Sequence, residues 1–294
     1  MSGAETIGRY VHFGGESIYG DAHLASQNHL LKKTVGFNPR TGLSDIHLEK
    51  GDILDNPRLT NQSHLSLVAP GFIPQLAVPD AETEQEMNER FHYGGGAFSV
   101  ERIHGPQWMH MINSPQIKWE GRVLSLTFRD HICIALKTLE QMQFLFGQYQ
   151  VLLTDRNETN VLLKLIEDET DLKKWNYCVY QVDFAYVYDA VNDTYHIGNE
   201  VDLRSRVTAS EQNIKDSQRT KEVLAHQIRV LVGHIANIAK KSFYTETISN
   251  DVRNAIDEFE KTWNVMGFSQ NNQYLDFETA RIFLMRVLNG IYRS

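Results

Sequence analysis

Cysteine is scarce in this chain: Cys133 and Cys178 are the only two among 294 residues. That excludes a disulfide framework and a paired-cysteine zinc site, and each stands in an apolar segment as a small core residue of a reducing compartment. Long apolar runs are missing too, since no stretch reaches the about 18 residues that a membrane-spanning helix requires. The opening Met1-Ser2-Gly3-Ala4-Glu5 has no basic segment leading into an apolar one, so no secretory leader is expected. The sequons at Asn61, Asn157 and Asn192 then read as chance matches. Positive charge is in deficit, with 29 Lys and Arg against 37 Asp and Glu and a net charge of −8. This argues against sequence-specific nucleic acid or an anionic membrane as partner.

Proline is absent beyond Pro115, and hydrophobic period is absent before Gly121. All seven prolines and eight of the twelve histidines fall in residues 1–120. Turn pairs recur there: Gly14-Gly15, Asn38-Pro39, Asn56-Pro57, Pro70-Gly71, Gly94-Gly95-Gly96, Gly105-Pro106 and Ser114-Pro115. Each interrupts regular structure through a missing donor or permissive backbone angles. One short helix is expected over residues 80–91, capped by Asp80 and stopped by Gly94–Gly96. Phe37, Leu43, Ile46, Leu48, Ile53, Leu54, Leu65, Leu67 and Val68 nevertheless supply more apolar anchors than a solvated linker carries. The expectation is a loop-rich arm over residues 1–120, ordered by surfaces other than its own.

Regular patterning begins at Gly121. Leu124, Leu126 and Phe128 alternate as one face of a strand over residues 122–128. Asp130 can cap a following helix with Ile132, Leu136, Leu139, Met142 and Phe146 on its stripe and Gly147 as its stop. Residues 149–154 and 161–166 read as strands flanking a polar hairpin loop at Asp155–Asn160. Residues 177–188 read as one long strand with Cys178, Tyr180, Val182, Phe184, Tyr186 and Tyr188 on a face, turned at Asn192-Asp193. Three helices follow. Their stripes are Leu224, Ile228, Leu231, Ile235 and Ile238, then Val252, Ile256, Phe259, Trp263 and Met266, then Phe277, Ala280, Leu284, Val287, Leu288 and Ile291. Caps stand at Ser249 or Asn250 and at Asp276, with a stop at Gly267. The first helix is expected to start near Ser205–Ser210, with a polar end over Glu211–Glu222. The fold class is thus α+β: an antiparallel sheet with a flanking helix (121–203), a C-terminal three-helix segment (204–294) and the N-terminal arm.

Chemistry is thinly signalled. His92, Glu101, His104 and His110 could ligate a metal, but no ligand spacing links them, and hydrogen-bonded turn histidines explain them equally. His12, Asp21, His23 and His29 form a looser group. There is no Gly-x-Ser-x-Gly elbow, and Cys133, two positions from His131, belongs to a helix stripe. Gly94–Gly96 lacks the Lys-Ser/Thr ending of a phosphate loop. Glu167, Asp168, Glu169 and Asp171, followed by Lys173 and Lys174, read as a solvated acidic turn. The strand aromatics Tyr180, Phe184, Tyr186 and Tyr188 read as packing. Arg204 and Arg206 read as ordinary ion-pair formers. No catalytic, cofactor-binding or metal residue is assigned. Trp108, Met109 and Met111, with Phe72 and Ile73, are the candidate anchors for a partner's pocket.

The run Val123-Leu124-Ser125-Leu126-Thr127-Phe128-Arg129-Asp130, continuing as an amphipathic helix to Phe146, resembles the strand-to-helix step of tailed-bacteriophage virion proteins of the tail-tube, baseplate and neck type. The resemblance covers residues 121–197. It implies a non-enzymatic, homo-oligomeric structural component that contacts further copies and other virion proteins through its arm, assembled in a host cytoplasm, without cofactor. Two alternatives stay open: an intracellular metal-assisted enzyme with a histidine-bearing loop site, and a helical adaptor.

Overall fold

The structure is a computed structural model that describes residues 6–7, 10–12, 22–25, 29–33, 69, 71–77, 97–101, 103–119, 122–154, 160–167, 175–182, 186–197, 218–245 and 248–292. The chain forms two compact units, residues 1–104 with 197–202, and residues 105–196 with 203–294. The expected helix at 80–91, the triple glycine, Asp21, His92, Arg204, Arg206 and the helix start near 205–210 all lie outside the described residues.

The first unit holds β1 (Thr6–Ile7), β2 (Tyr10–His12), β3 (Ala22–Ala25), β4 (His29–Lys33), β5 (Leu76–Ala77) and β6 (Ala97–Glu101). They make one antiparallel sheet in the order β1-β2-β3-β4-β6-β5. Its longest ladder joins β4 to β6, from His29 opposite Glu101 to Lys33 opposite Ala97. Strands of two to five residues are too short to display alternation, so the turn-dense sequence did not announce them. Ile73 is fully buried in this unit and Phe72 half-buried, on a turn whose two amides donate to the Ala69 carbonyl.

The second unit opens with α1 (Trp108–Asn113) and a two-stranded ribbon of β7 (Gln116–Trp119) and β8 (Arg122–Ser125). Next comes α2 (Phe128–Tyr149), whose 22 residues span about 33 Å. Thr127 rather than Asp130 is the N-cap. Its hydroxyl accepts from the Asp130 amide, and the Asp130 carboxylate accepts from the Thr127 amide at 2.7 Å. This capping box satisfies two orphan donors at once. Gly147 does not stop the helix; Gln150 does, in the left-handed region at φ 55°, donating to the Phe146 carbonyl.

After α2 run β9 (Val151–Leu153), β10 (Val161–Glu167), β11 (Trp175–Gln181), β12 (Tyr186–Asp189) and β13 (Thr194–Ile197). β9 and β10 do not form the expected hairpin. β10 pairs with β11 over seven residues, and β9 pairs with β12 in the three-stranded order β13-β12-β9. The single long strand expected over 177–188 is two strands in two sheets. Alternation told that each run is extended but not which run it joins.

Helices α3 (Gln218–Ala239), α4 (Ser242–Thr245), α5 (Asn250–Thr262) and α6 (Phe277–Tyr292) complete this unit. Most of the expected stripe is there: Ile228, Leu231, Ile235, Ile238, Val252, Ile256, Phe259, Ala280, Leu284 and Val287 are all buried in one core with α2 residues Ile132, Ala135, Leu139 and Met142, whereas Met266, expected to extend the second stripe, lies past the end of α5 and is exposed. The Ser249 hydroxyl caps α5, and the Asp276 carboxylate accepts from the Thr279 amide at 2.7 Å to cap α6. Gly267 lies in the turn beyond α5 at φ +77°, where a Cβ would stand 2.4 Å from the Ala225 carbonyl oxygen.

Gly105 is the tightest backbone approach. The Leu163 amide donates to the Pro106 carbonyl and Gln107 bridges to Leu162, so residues 105–107 lie along β10. A Cβ on Gly105 would fall 1.6 Å from the Leu163 carbonyl oxygen. Gly105→Ala is expected to cost at least about 3 kcal/mol in denaturant unfolding, whereas Gly71→Ala, with open space at its Cβ, should stay within about 0.5 kcal/mol.

Candidate functional site

The sequence-selected anchors are core residues. Trp108 and Met111 are 0% and 1% exposed, packed in the second unit's own core, with Met109 half-buried beside them. They are therefore not available to a partner's pocket. His110 is exposed on α1 in the second unit, and His104 belongs to the first unit. Among the described residues no group of three or more His, Cys, Asp or Glu could hold a metal. Cys133 is half-buried as expected of a stripe residue, but Cys178 is exposed rather than in the core. Tyr180 and Tyr188 are buried packing residues.

Among the described residues the fully buried imidazole is His131, and it serves structure. The Trp108 indole N–H donates to its Nδ1 at 2.9 Å, which places the proton on Nε2. Nε2–H then donates to the Tyr244 hydroxyl at 2.8 Å, and that hydroxyl donates to the Leu126 carbonyl at 2.8 Å. Both ring nitrogens are committed, which leaves neither for proton transfer to a substrate. Burial lowers the His131 pKa to about 4, against a smaller opposing pull from Asp130.

A second convergence lies where β9 to β12 exchange partners. The chain passes from β9 to β10 through residues 154–160 and from β11 to β12 through residues 182–185. Leu153 pairs with Val187 at one end of these two connections, and Val161 pairs with Gln181 at the other. The Val182 amide extends the second pairing by donating to the Asn160 carbonyl at 3.0 Å. One connection carries Asp155-Arg156-Asn157-Glu158-Thr159-Asn160; the other is Val182-Asp183-Phe184-Ala185. Asn160 is buried, while residues 155–159 and 183–185 lie outside the described residues. Asp155, Asn160 and Asp183 offer only oxygen donors of the kind that suits a hard cation rather than zinc.

These three residues were missed in the sequence. Asp155–Asn160 passed for a polar hairpin loop, and Asp183 for an outward residue of one long strand. The available signal was the Asp-x-x-x-x-Asn spacing directly before an apolar strand, followed by Asp-Phe directly after the next one.

A scan against protein-family models finds no match, and no curated protein matches. Among solved structures, the Rio2 kinase from Chaetomium thermophilum in its ADP/Mg2+-phosphoaspartate complex is similar at TM-score 0.45 and 11% identity, over 99% of this chain and 66% of that one. A second structure of the same kinase matches at TM-score 0.40 and 11% identity, over 99% and 73%. This chain thus spans about two thirds of the length of the first. Both matches are kinases, not virion components, and they displace the tailed-bacteriophage resemblance together with its non-enzymatic tail, baseplate or neck role and virion location. The residues agree with that correction. β8, the supposed tube strand, pairs only with β7 in a two-stranded ribbon. At such scores the likeness transfers no activity. No described helix is long and apolar enough to cross a membrane.

The buried imidazole has a measurable consequence. Because the folded pKa lies below the unfolded value of about 6.5, stability is intact above that pH and falls as pH drops toward 4, by about 3 kcal/mol from this group. Denaturant titrations from pH 7 to 4 should show this loss in the wild type, and a shallower one in His131→Gln.

Proposed function

We propose that the chain is a metal-dependent phosphotransferase of kinase-like design, moving the terminal phosphoryl group of a nucleoside triphosphate to an acceptor hydroxyl. What supports this reading is the Asp155-x-x-x-x-Asn160 spacing directly after β9 and the Asp183-Phe184 pair directly after β11, whose described flanks Asn160 and Val182 are joined by a backbone hydrogen bond. In protein kinases an Asp-x-x-x-x-Asn catalytic loop supplies a base and a metal ligand, and an Asp-Phe-Gly step supplies the second metal ligand. Those motifs acquire meaning in their structural context, and here each follows a short strand of a small antiparallel sheet as its role requires.

The roles follow from chemistry. Asp155 accepts the proton of the acceptor hydroxyl as its oxygen bonds to phosphorus and the bond to the leaving diphosphate oxygen breaks. Asn160 and Asp183 would hold a magnesium ion, which supplies charge neutralisation at the transferring phosphoryl group. The pattern departs from the kinase form in two places: Leu153-Thr154 precedes Asp155 where kinases carry His-Arg, and Ala185 follows Asp183-Phe184 where they carry Gly. Neither departure removes an oxygen-bearing metal ligand. The earlier reading of the histidine-bearing loops as the metal site has no part in this function.

Calorimetry with ATP and magnesium tests the assignment. The wild-type chain should bind ATP in a magnesium-dependent manner, and Asp183→Asn should abolish that dependence. Asp155→Asn should retain binding while phosphoryl transfer or ATP hydrolysis falls by about 10²- to 10⁴-fold. A wild-type chain that binds no ATP with magnesium present, or an Asp183→Asn variant that binds as the wild type does, overturns the proposal.

A further inference from the structure

Helix α6 turns one side to the core and leaves the other bare. Ala280, Leu284 and Val287 are fully buried, whereas Ile282 and Met285 are 59% and 41% exposed. With the exposed Glu278 and Asn289 these two form a stripe at steps of four, three and four, one face of the helix over about 16 Å. The stripe lies in a groove of about 1020 Å³ that Leu136 of α2 and Val252 and Ala255 of α5 also line. Gly290 brings the α5 side in: a Cβ there would stand 2.7 Å from Val252 Cγ2, so the last turn of α6 lies close on α5. An exposed apolar side chain standing singly is ordinary, but two on one helix face beside further apolar lining make a patch of the kind a partner covers.

The order of the stripe points to the cover. Glu278 and Asn289 are equidistant from the midpoint between Phe283 and Leu284, and so are Ile282 and Met285. A second α6 laid antiparallel along the first, about a two-fold axis at that midpoint, therefore sets Ile282 against the second copy's Met285 and Glu278 against its Asn289. Both meetings are favourable. The first is apolar on apolar; in the second a carboxylate accepts from a side-chain amide that has no hydrogen-bond partner among the described residues. Arg281 and Arg286 are each paired within their own copy, with Glu278 and Glu258, so neither brings an uncompensated charge to its counterpart. A parallel arrangement would instead set Glu278 against Glu278.

We propose that the outer face of α6 is a self-association surface, on which two copies of this chain pair antiparallel about a two-fold axis with Ile282 and Met285 at the centre. A standard interface buries about 800 Å² on each partner, more than one helix stripe supplies, so the rims on α2 and α5 take part and the pairing is weak, with a Kd of about 1–100 µM. This pairing does not depend on phosphotransferase activity.

Sedimentation velocity of the full-length chain from about 1 to about 200 µM tests the pairing. The wild type should pass from monomer to dimer and stop there, since a two-fold contact closes on itself. Ile282→Asp and Met285→Asp are each expected to raise the dissociation constant by at least about 10-fold, with the melting temperature unchanged because both side chains are exposed. Val265→Asp, at a residue 74% exposed on the turn beyond α5, is the control and should leave the dimer intact. Cross-linking reads the direction. In a Cys178→Ser background, a Glu278→Cys chain mixed with an Asn289→Cys chain should form a disulfide-linked dimer of the two. Neither chain should cross-link alone, because like positions stand about 16 Å apart along the axis. A wild type that stays monomeric to about 200 µM, a dimer that Ile282→Asp leaves intact, or cross-links between like positions overturns the proposal, the first of these leaving the face to a different protein.

Discussion

The exchange of partners that sets β9 on β12 and β10 on β11 is the constraint on which the second unit's sheets depend. A backbone hydrogen bond from the Val182 amide to the Asn160 carbonyl extends the β10–β11 ribbon at the end where the chain leaves for β12. An antiparallel ribbon holds its register because each residue faces a defined partner, and a slip by one would reverse every side chain along it.

The long helix α2 acts as the beam for that ribbon. Its apolar stripe, with Ile132, Leu139 and Met142, is buried with residues of α3, α5 and α6, including Phe259 and Phe283, whose rings stack at 4.2 Å. Three polar positions, His131, Thr138 and Gln141, interrupt the buried side of the beam, and the first and last tie it to other elements. His131 links α1 through Trp108 to α4 through Tyr244. Gln141 links β11 through Val179 and Gln181. Buried polar groups are tolerated when satisfied, and these two are satisfied by partners far apart in sequence. Elements that apolar packing alone would leave free to shift are in this way given one orientation.

The groove between α2, α5 and α6, about 1020 Å³ and lined by Leu136, Glu140, Asp251, Ile282, Met285 and Arg286 among others, is a surface of different character. Its charged groups largely find neighbours: Arg286 pairs with Glu258 at 2.8 Å, and Arg281 with Glu278. That pairing leaves a surface of balanced charge.

Much of the fold was legible in the residues. The stripes Ile228-Leu231-Ile235-Ile238 and Val252-Ile256-Phe259, the caps Ser249 and Asp276, and the turn at Asn192-Asp193 record local relations three or four residues apart, which any chain must obey to bury one helix face. The sequence alone therefore determined the four long helices of the second unit and the α+β class, but not the short α1 and α4. It could not determine which extended run lies beside which, because alternation marks a strand without naming its partner and backbone pairing is indifferent to side-chain identity. The tertiary structure decided that β10 takes β11 and β9 takes β12, that strands of two to five residues in the first unit join one sheet, and that Trp108 turns inward to His131. The flanks of the candidate site belong to this second category, since Asn160 and Val182 meet only once long-range pairing has chosen among strands that the local pattern treats alike.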